Sequence, residues 1–104
     1  MKKEIENNAK VKIGDSVVVY GAGGIGLNII QAASLRSAYP IVAIDIHDNK
    51  LELAKEVGAT HVINVKDKSF KDISNEISSI SEVDIFIDNT GLSKVIELGY
   101  KISK

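Results

Sequence analysis

Four short β-branched runs punctuate the chain: Ser16-Val17-Val18-Val19-Tyr20, Ile41-Val42-Ala43-Ile44, His61-Val62-Ile63-Asn64 and Val83-Asp84-Ile85-Phe86-Ile87. Each is four or five residues long and apolar on both faces, without the alternation of a strand that has one face in water. Such runs read as parallel strands covered by helices on both sides. The segments between them have helical period. Ile25 to Arg36 is apolar nearly all round, as a helix wedged against a sheet would be. Asn49-Lys50-Leu51-Glu52 has the spacing of a capping box, with Asn49 as the cap and Glu52 reaching back. Leu53 and Val57 are then expected on one face, and Gly58 supplies the stop. Phe70, Ile73, Ile77 and Ile80 recur at spacings of 3, 4 and 3, which predicts a third helix. A last helix is expected from Ser93 towards Ile102. The order β-α-β-α-β-α-β-α gives an α/β fold with a parallel sheet and right-handed crossovers.

Composition narrows the function. The 104 residues fit one domain, and 44% hydrophobic with 26% charged residues is ordinary for a globular chain. Thirteen Lys and Arg against fourteen Asp and Glu leave a net charge of -1, and there are only five aromatics. Nucleic acid and anionic membrane are therefore poor partners. The absence of cysteine removes disulfides, thiolate chemistry and Cys-ligated zinc from this chain. The longest apolar stretch, Val17 to Leu27, holds four glycines and is too short to cross a bilayer. The start, Met1-Lys2-Lys3-Glu4-Ile5-Glu6-Asn7-Asn8, is acidic and amide-rich where a signal peptide needs an apolar segment, so a cytoplasmic location is expected.

The first strand runs directly into Gly21-Ala22-Gly23-Gly24-Ile25-Gly26, which fits G-x-G-x-x-G. Gly21 permits the tight turn, Gly23 lets the backbone approach a pyrophosphate, and Gly26 lets the helix lie close on the strand. The amides at the helix start, at the positive end of its dipole, suit a phosphate anion. Asp45 stands at the end of the next strand, 19 residues after Gly26. A carboxylate there can accept from both hydroxyls of an adenosine ribose and repel a 2′-phosphate, so NAD is expected over NADP. A purely structural strand-to-helix turn is the competing reading of the glycines, and a solvated turn residue that of Asp45. The fold expected is a Rossmann-type sheet with helices on both faces, cut to about four strands in the order 3-2-1-4.

The run Gly14-Asp15-Ser16-Val17-Val18-Val19-Tyr20 leading into those glycines resembles the zinc-type, medium-chain alcohol dehydrogenase family. So do Lys55-Glu56-Val57-Gly58-Ala59-Thr60-His61-Val62-Ile63-Asn64 and Asp88-Asn89-Thr90-Gly91. The resemblance runs from about Lys12 onward. It implies that Gly23, Gly24 and Ile25 meet the pyrophosphate, with Ile25 also near the nicotinamide. It implies that Asp45 holds the adenosine ribose, that Ile46 flanks the adenine, and that Lys50 reaches the same ribose. It places Asn89, Thr90 and Gly91 beside the nicotinamide half. A solvated first-turn lysine is the plain alternative for Lys50, and an ordinary turn that for Thr90-Gly91.

In that family catalysis sits in a separate domain, with a zinc polarising the alcohol oxygen for hydride transfer to NAD. This chain offers no such set. His47 and His61 are 14 residues apart in different elements; His61 reads as a strand residue, and His47 as a loop residue with a cofactor-edge contact open to it. No nucleophile is paired with a base. The expectation is a partial NAD-binding domain over residues 12–104, with residues 1–11 a remnant of an interdomain helix or linker. Zinc and catalytic residues are expected only in an absent catalytic domain, and the parent enzyme as a homo-oligomer. The fourth strand is expected to be a bare edge open to self-association. A nucleotide-sensing module of the potassium-transport type is the leading alternative. Against it, strand three leads into Val65-Lys66-Asp67-Lys68 and not into a further acidic glycine turn. An adenylating enzyme would want an arginine after the acid, and a methyltransferase an acid where Tyr20 stands.

Overall fold

The structure is a computed structural model that describes residues 4–5 and 11–90. Its elements are β1 (Glu4–Ile5), β2 (Val17–Tyr20), α1 (Gly24–Leu35), β3 (Ile41–Asp45), α2 (Asp48–Val57), β4 (His61–Asn64), α3 (Phe70–Ile80) and β5 (Ile85–Asp88). All pairings are parallel, in the order β1-β5-β2-β3-β4. The four strands read from the apolar runs thus form the expected 3-2-1-4 sheet, an α/β fold of Rossmann type.

The apolar runs have no polar alternation because both faces of the sheet are covered. Val17 and Val19 pack on one face with Ile30 and Ala33 of α1 and Leu51 and Ala54 of α2. Val18 packs on the other with Ile73 and Ile77 of α3 and with Phe86. Val17, Val18 and Val19 are each at most 1% exposed, and full burial of such a side chain contributes roughly 1.5–3 kcal/mol. A polar residue at any of the three would lose that and add an unpaired group. The α3 stripe is confirmed in full: Ile73 and Ile77 are buried, with Phe70 and Ile80 packed at its ends. Ser69 caps this helix by accepting from the Asp72 amide at 3.1 Å.

Register decides where a site can form. Tyr20 pairs with Ile44 on one side and with Asp88 on the other, and Asp45 pairs with Asn64. The carboxyl ends of β2, β3, β4 and β5 therefore finish along one edge. Neighbouring strands on the two sides of β2 are reached by crossovers in opposite directions, and the crevice of an open α/β sheet lies at that reversal.

Three expectations change. Asn49 is not the cap of α2: His47 is, with extended backbone, and the amides of Lys50 and Leu51 both donate to its carbonyl. The helix starts two residues early because Asn64 Nδ2 on β4 donates to Asp48 Oδ1 at 2.7 Å and holds Asp48 at the first position. Leu51 and Ala54 face inward and Leu53 is exposed, while Val57 stays against the core and Gly58, at φ 133°, ends the helix. Finally, β5 is not bare along its length, since Glu4 and Ile5 pair with Ile85 and Phe86. Those two residues are extended. The expected helix from Ser93 to Ile102 lies outside the described residues. Among the described residues, no helix is long and apolar enough to cross a membrane.

Candidate functional site

The turn after β2 is shaped by steric limits at two glycines. Gly21 has φ 105°, and its amide donates to the Ile44 carbonyl at 2.7 Å. A Cβ at Gly26 would lie 2.0 Å from the Gly21 carbonyl oxygen, so only glycine lets α1 approach β2 this closely. Gly23 and Gly24 differ in kind. A Cβ on either would meet nothing within 4 Å, so the fold itself does not require glycine there. The space in front of them is open, and it faces the start of α1. Gly23 caps this helix without a side-chain bond, and no acidic residue lies in the first turn. Three amides at that end lack helical acceptors, as at any helix start, and Leu27 is the first to donate back, to Gly23.

Asp45, at the end of β3, is 8% exposed and held by four donors. Its Oδ2 accepts from the Ala22 amide at 2.8 Å. Its Oδ1 accepts from the amides of Ile46 at 2.7 Å and His47 at 3.0 Å, and lies 2.9 Å from His47 Nδ1. Burial alone would push this carboxyl up. The Ala22 amide, the His47 side chain and the His47 and Ile46 amides more than reverse that, and hold it below the usual carboxylate range. Asp45 is therefore an anion at neutral pH. The bond to Ala22 also ties the acid to the glycine turn.

Asn89 completes the turn from the β5 side. Its amide donates to the Tyr20 carbonyl at 3.0 Å and its Nδ2 to the Gly21 carbonyl at 3.1 Å. Its Oδ1 is buried and has no partner among the described residues. Thr90 is exposed, and its amide and hydroxyl both donate to Asp88 Oδ1, at 2.7 and 2.6 Å. Burial, and after it the charges of Asp88 and Asp45, push the nearby Tyr20 hydroxyl up from its ordinary range. Ile25 and Ile46, 65% and 52% exposed, are large apolar side chains left in water on this edge. Lys50 lies half-buried in the first turn of α2, and Gly91 lies outside the described residues.

The structure thus brings together Gly21, Gly23, Gly24, Ile25, Gly26, Asp45, Ile46, Asn89 and Thr90 at one end of the sheet. Two features escaped sequence reasoning. One is the contact of His47 with Asp45, for which the D-x-H spacing at a strand end is the signal. The other is the binding of Asn89 to the turn.

The family model for zinc-binding dehydrogenases matches residues 24–104. The chain belongs to the zinc-binding dehydrogenase family. S-(hydroxymethyl)glutathione dehydrogenase of Paracoccus denitrificans is 38% identical over 98 residues, covering 86% of this chain and 26% of its own length. Benzyl alcohol dehydrogenase from Acinetobacter calcoaceticus superposes with a TM-score of 0.78 at 37% identity, over 90% of this chain and 26% of that one. A short chain alcohol dehydrogenase of Escherichia coli CFT073, complexed with the cofactor NADH, superposes with a TM-score of 0.79 at 27% identity, over 90% and 28%. This member of the zinc-binding dehydrogenase family spans about a quarter of the length of those three proteins. Membership disfavours the sensing-module alternative. It also implies a nicotinamide dinucleotide and zinc as cofactors of the family. Among the described residues no three His, Asp or Glu side chains stand together as a metal site, so zinc is not assigned to them.

Proposed function

We propose that this chain is the NAD-binding domain of a zinc-dependent alcohol or polyol dehydrogenase, residues 12–104 being the partial cofactor domain. One observation carries the reading: the open glycine turn and the Asp45 carboxylate are joined by the Ala22–Asp45 bond of 2.8 Å. A dinucleotide fits this pair. The missing side chains of Gly23 and Gly24 leave room for a pyrophosphate against the α1 amides, and the ionised Asp45 meets the adenosine ribose. The same charge argues for NAD over NADP, because a carboxylate about 4 Å from a phosphate charge is repelled by roughly 4 kcal/mol at an effective dielectric constant near 20.

When bound, NAD supplies the acceptor for a hydride from the alcohol. This chain's residues bind and orient. The α1 amides neutralise pyrophosphate charge, exposed Ile25 and Ile46 offer apolar surface to the rings, and the family resemblance gives Lys50, in the first turn of α2, to the ribose. Asn89, by fixing the Gly21 carbonyl, keeps the turn in its binding shape. Thr90 extends the site towards the nicotinamide, and the family resemblance gives Gly91 the same role. None of these residues is assigned a catalytic role.

Amide chemical shifts of the 104-residue chain, followed during separate titrations with NAD and NADP, test the proposal. NAD should move Gly23 to Gly26 and the amides around Asp45, and NADP should move them far less. Equal responses would remove the selectivity role of Asp45. No response in a folded sample would refute cofactor binding by this chain.

A further inference from the structure

We propose that His47 is a built-in competitor for the adenosine-ribose site, its imidazole holding the carboxylate oxygen of Asp45 that the second hydroxyl of a ribose diol needs. The inference rests on Asp45 as the ribose acceptor. An ionised carboxylate has about four lone-pair positions. Among the described residues Oδ2 accepts only from Ala22, which leaves it room for one hydroxyl. Oδ1 already faces three donors: the Ile46 amide, the His47 amide and His47 Nδ1. A diol that engages both oxygens must displace one of them. The two amides are fixed by the turn between β3 and α2. The imidazole is not.

Two observations make His47 the group that leaves. Its side chain is 53% exposed whereas that of Asp45 is 9% exposed, so the ring has solvent to swing into. It also stands at the N-cap of α2 yet makes no capping bond with its side chain. A side chain at that position ordinarily bonds a first-turn amide. The helix therefore loses nothing when the ring departs. In this structure the imidazole satisfies Asp45, and an incoming ribose takes its place.

The test compares the unaltered chain with H47A, which removes the ring, and H47N, whose amide nitrogen stands where Nδ1 does. NAD and two analogues, each lacking one adenosine-ribose hydroxyl, are titrated calorimetrically. H47A is expected to bind NAD roughly two- to tenfold more tightly, the equivalent of one net hydrogen bond no longer displaced. H47N should behave as the unaltered chain, and the gain should vanish with at least one of the deoxy analogues. A residue that merely steadied Asp45 would give the opposite sign. Weaker or unchanged binding by H47A, or a gain of equal size with both analogues, would overturn the proposal. Should H47A fold poorly, the ring nitrogen resonances of His47 in the unaltered chain decide. They should move to those of a solvent-exposed imidazole on saturation with NAD, and their constancy would overturn it equally. Failure of every form to bind NAD would refute the function proposed above and this inference with it, a result distinct from equal binding by all three.

Discussion

Replacing Gly26 with alanine separates the glycine that the fold needs from those that a ligand needs. A Cβ there would lie 2.0 Å from the Gly21 carbonyl oxygen, 3.1 Å from its carbon and 3.0 Å from Asn89 Nδ2. Contacts under 3.0 Å are essentially never seen, so α1 and the turn must part by about 1 Å. The obstacle is backbone, which cannot rotate aside. Overpacking of this kind costs roughly 1–3 kcal/mol, and disturbing the Asn89 bond to Gly21 adds about 1 kcal/mol. Alanine in a helix interior returns about 1 kcal/mol over glycine. The net loss is about 2 kcal/mol, which for a domain of this size lowers Tm by on the order of 10 °C. G24A is the control. Its Cβ meets nothing within 4 Å and its backbone is helical, so Tm should hold or rise. The added methyl group should nevertheless weaken NAD binding by roughly tenfold, about 1.4 kcal/mol, because it occupies the space a pyrophosphate would take. Thermal unfolding followed by circular dichroism, with calorimetric titration of NAD, reads both. A G26A Tm equal to that of the unaltered chain would refute the close-approach argument. Unchanged NAD affinity in G24A would refute the assignment of the open space.

D45N keeps the shape of the side chain but turns one acceptor into a donor facing backbone amides. Stability should fall by about 1–3 kcal/mol, and in equilibrium titrations any preference for NAD over NADP should shrink. Asp45 should also shape the acid limb of the stability profile. Its folded-state pKa lies below the ordinary value near 3.8, so between the two the unfolded chain binds more protons. Its contribution is thus present above about pH 3.8 and lost as pH falls through the folded-state pKa, and denaturant unfolding from pH 6 downward should show a shallower acid loss in D45N. S16A addresses the opposite end of the sheet. The Ser16 hydroxyl, 4% exposed on its residue, donates to the Glu82 carbonyl and accepts from the Asp84 amide at 2.8 Å. Its removal should cost about 1–3 kcal/mol in denaturant unfolding and leave NAD affinity unchanged.

The strands and α3 were legible because their signals are local. Three consecutive buried valines admit one environment, and the 3-4-3 spacing of Phe70, Ile73, Ile77 and Ile80 admits one helix face. Gly26 was legible because its motif encodes a distance between elements. What stayed hidden depends on partners distant in the chain. Asn49 satisfies the local rule for a cap, yet Asn64, 15 residues on, settles the matter by bonding Asp48. Glu4 and Ile5 carry no strand signal of their own and pair only because the edge of β5 is there. Asp45 was visible as an acid at a strand end, but its crowding by Ala22, Ile46 and His47 depends on how the turns fold back. Asn89 read as a cofactor neighbour, whereas its amide group is first a brace for Gly21.

The sheet order also governs the sequence in which the structure can be completed. During vectorial synthesis, β2, β3 and β4 emerge in the order in which they pair, so all three strands of that ladder are available by residue 64. The other flank of β2 must wait for residues 85–88. Until then Val18 lacks Phe86 beside it, and one whole side of a valine strand offers unpaired amides and carbonyls. This is the interval in which a chaperone, or a neighbouring nascent chain, would find β2 open. Hydrogen exchange during refolding should accordingly protect the amides that β2 exchanges with β3 before those it exchanges with β5.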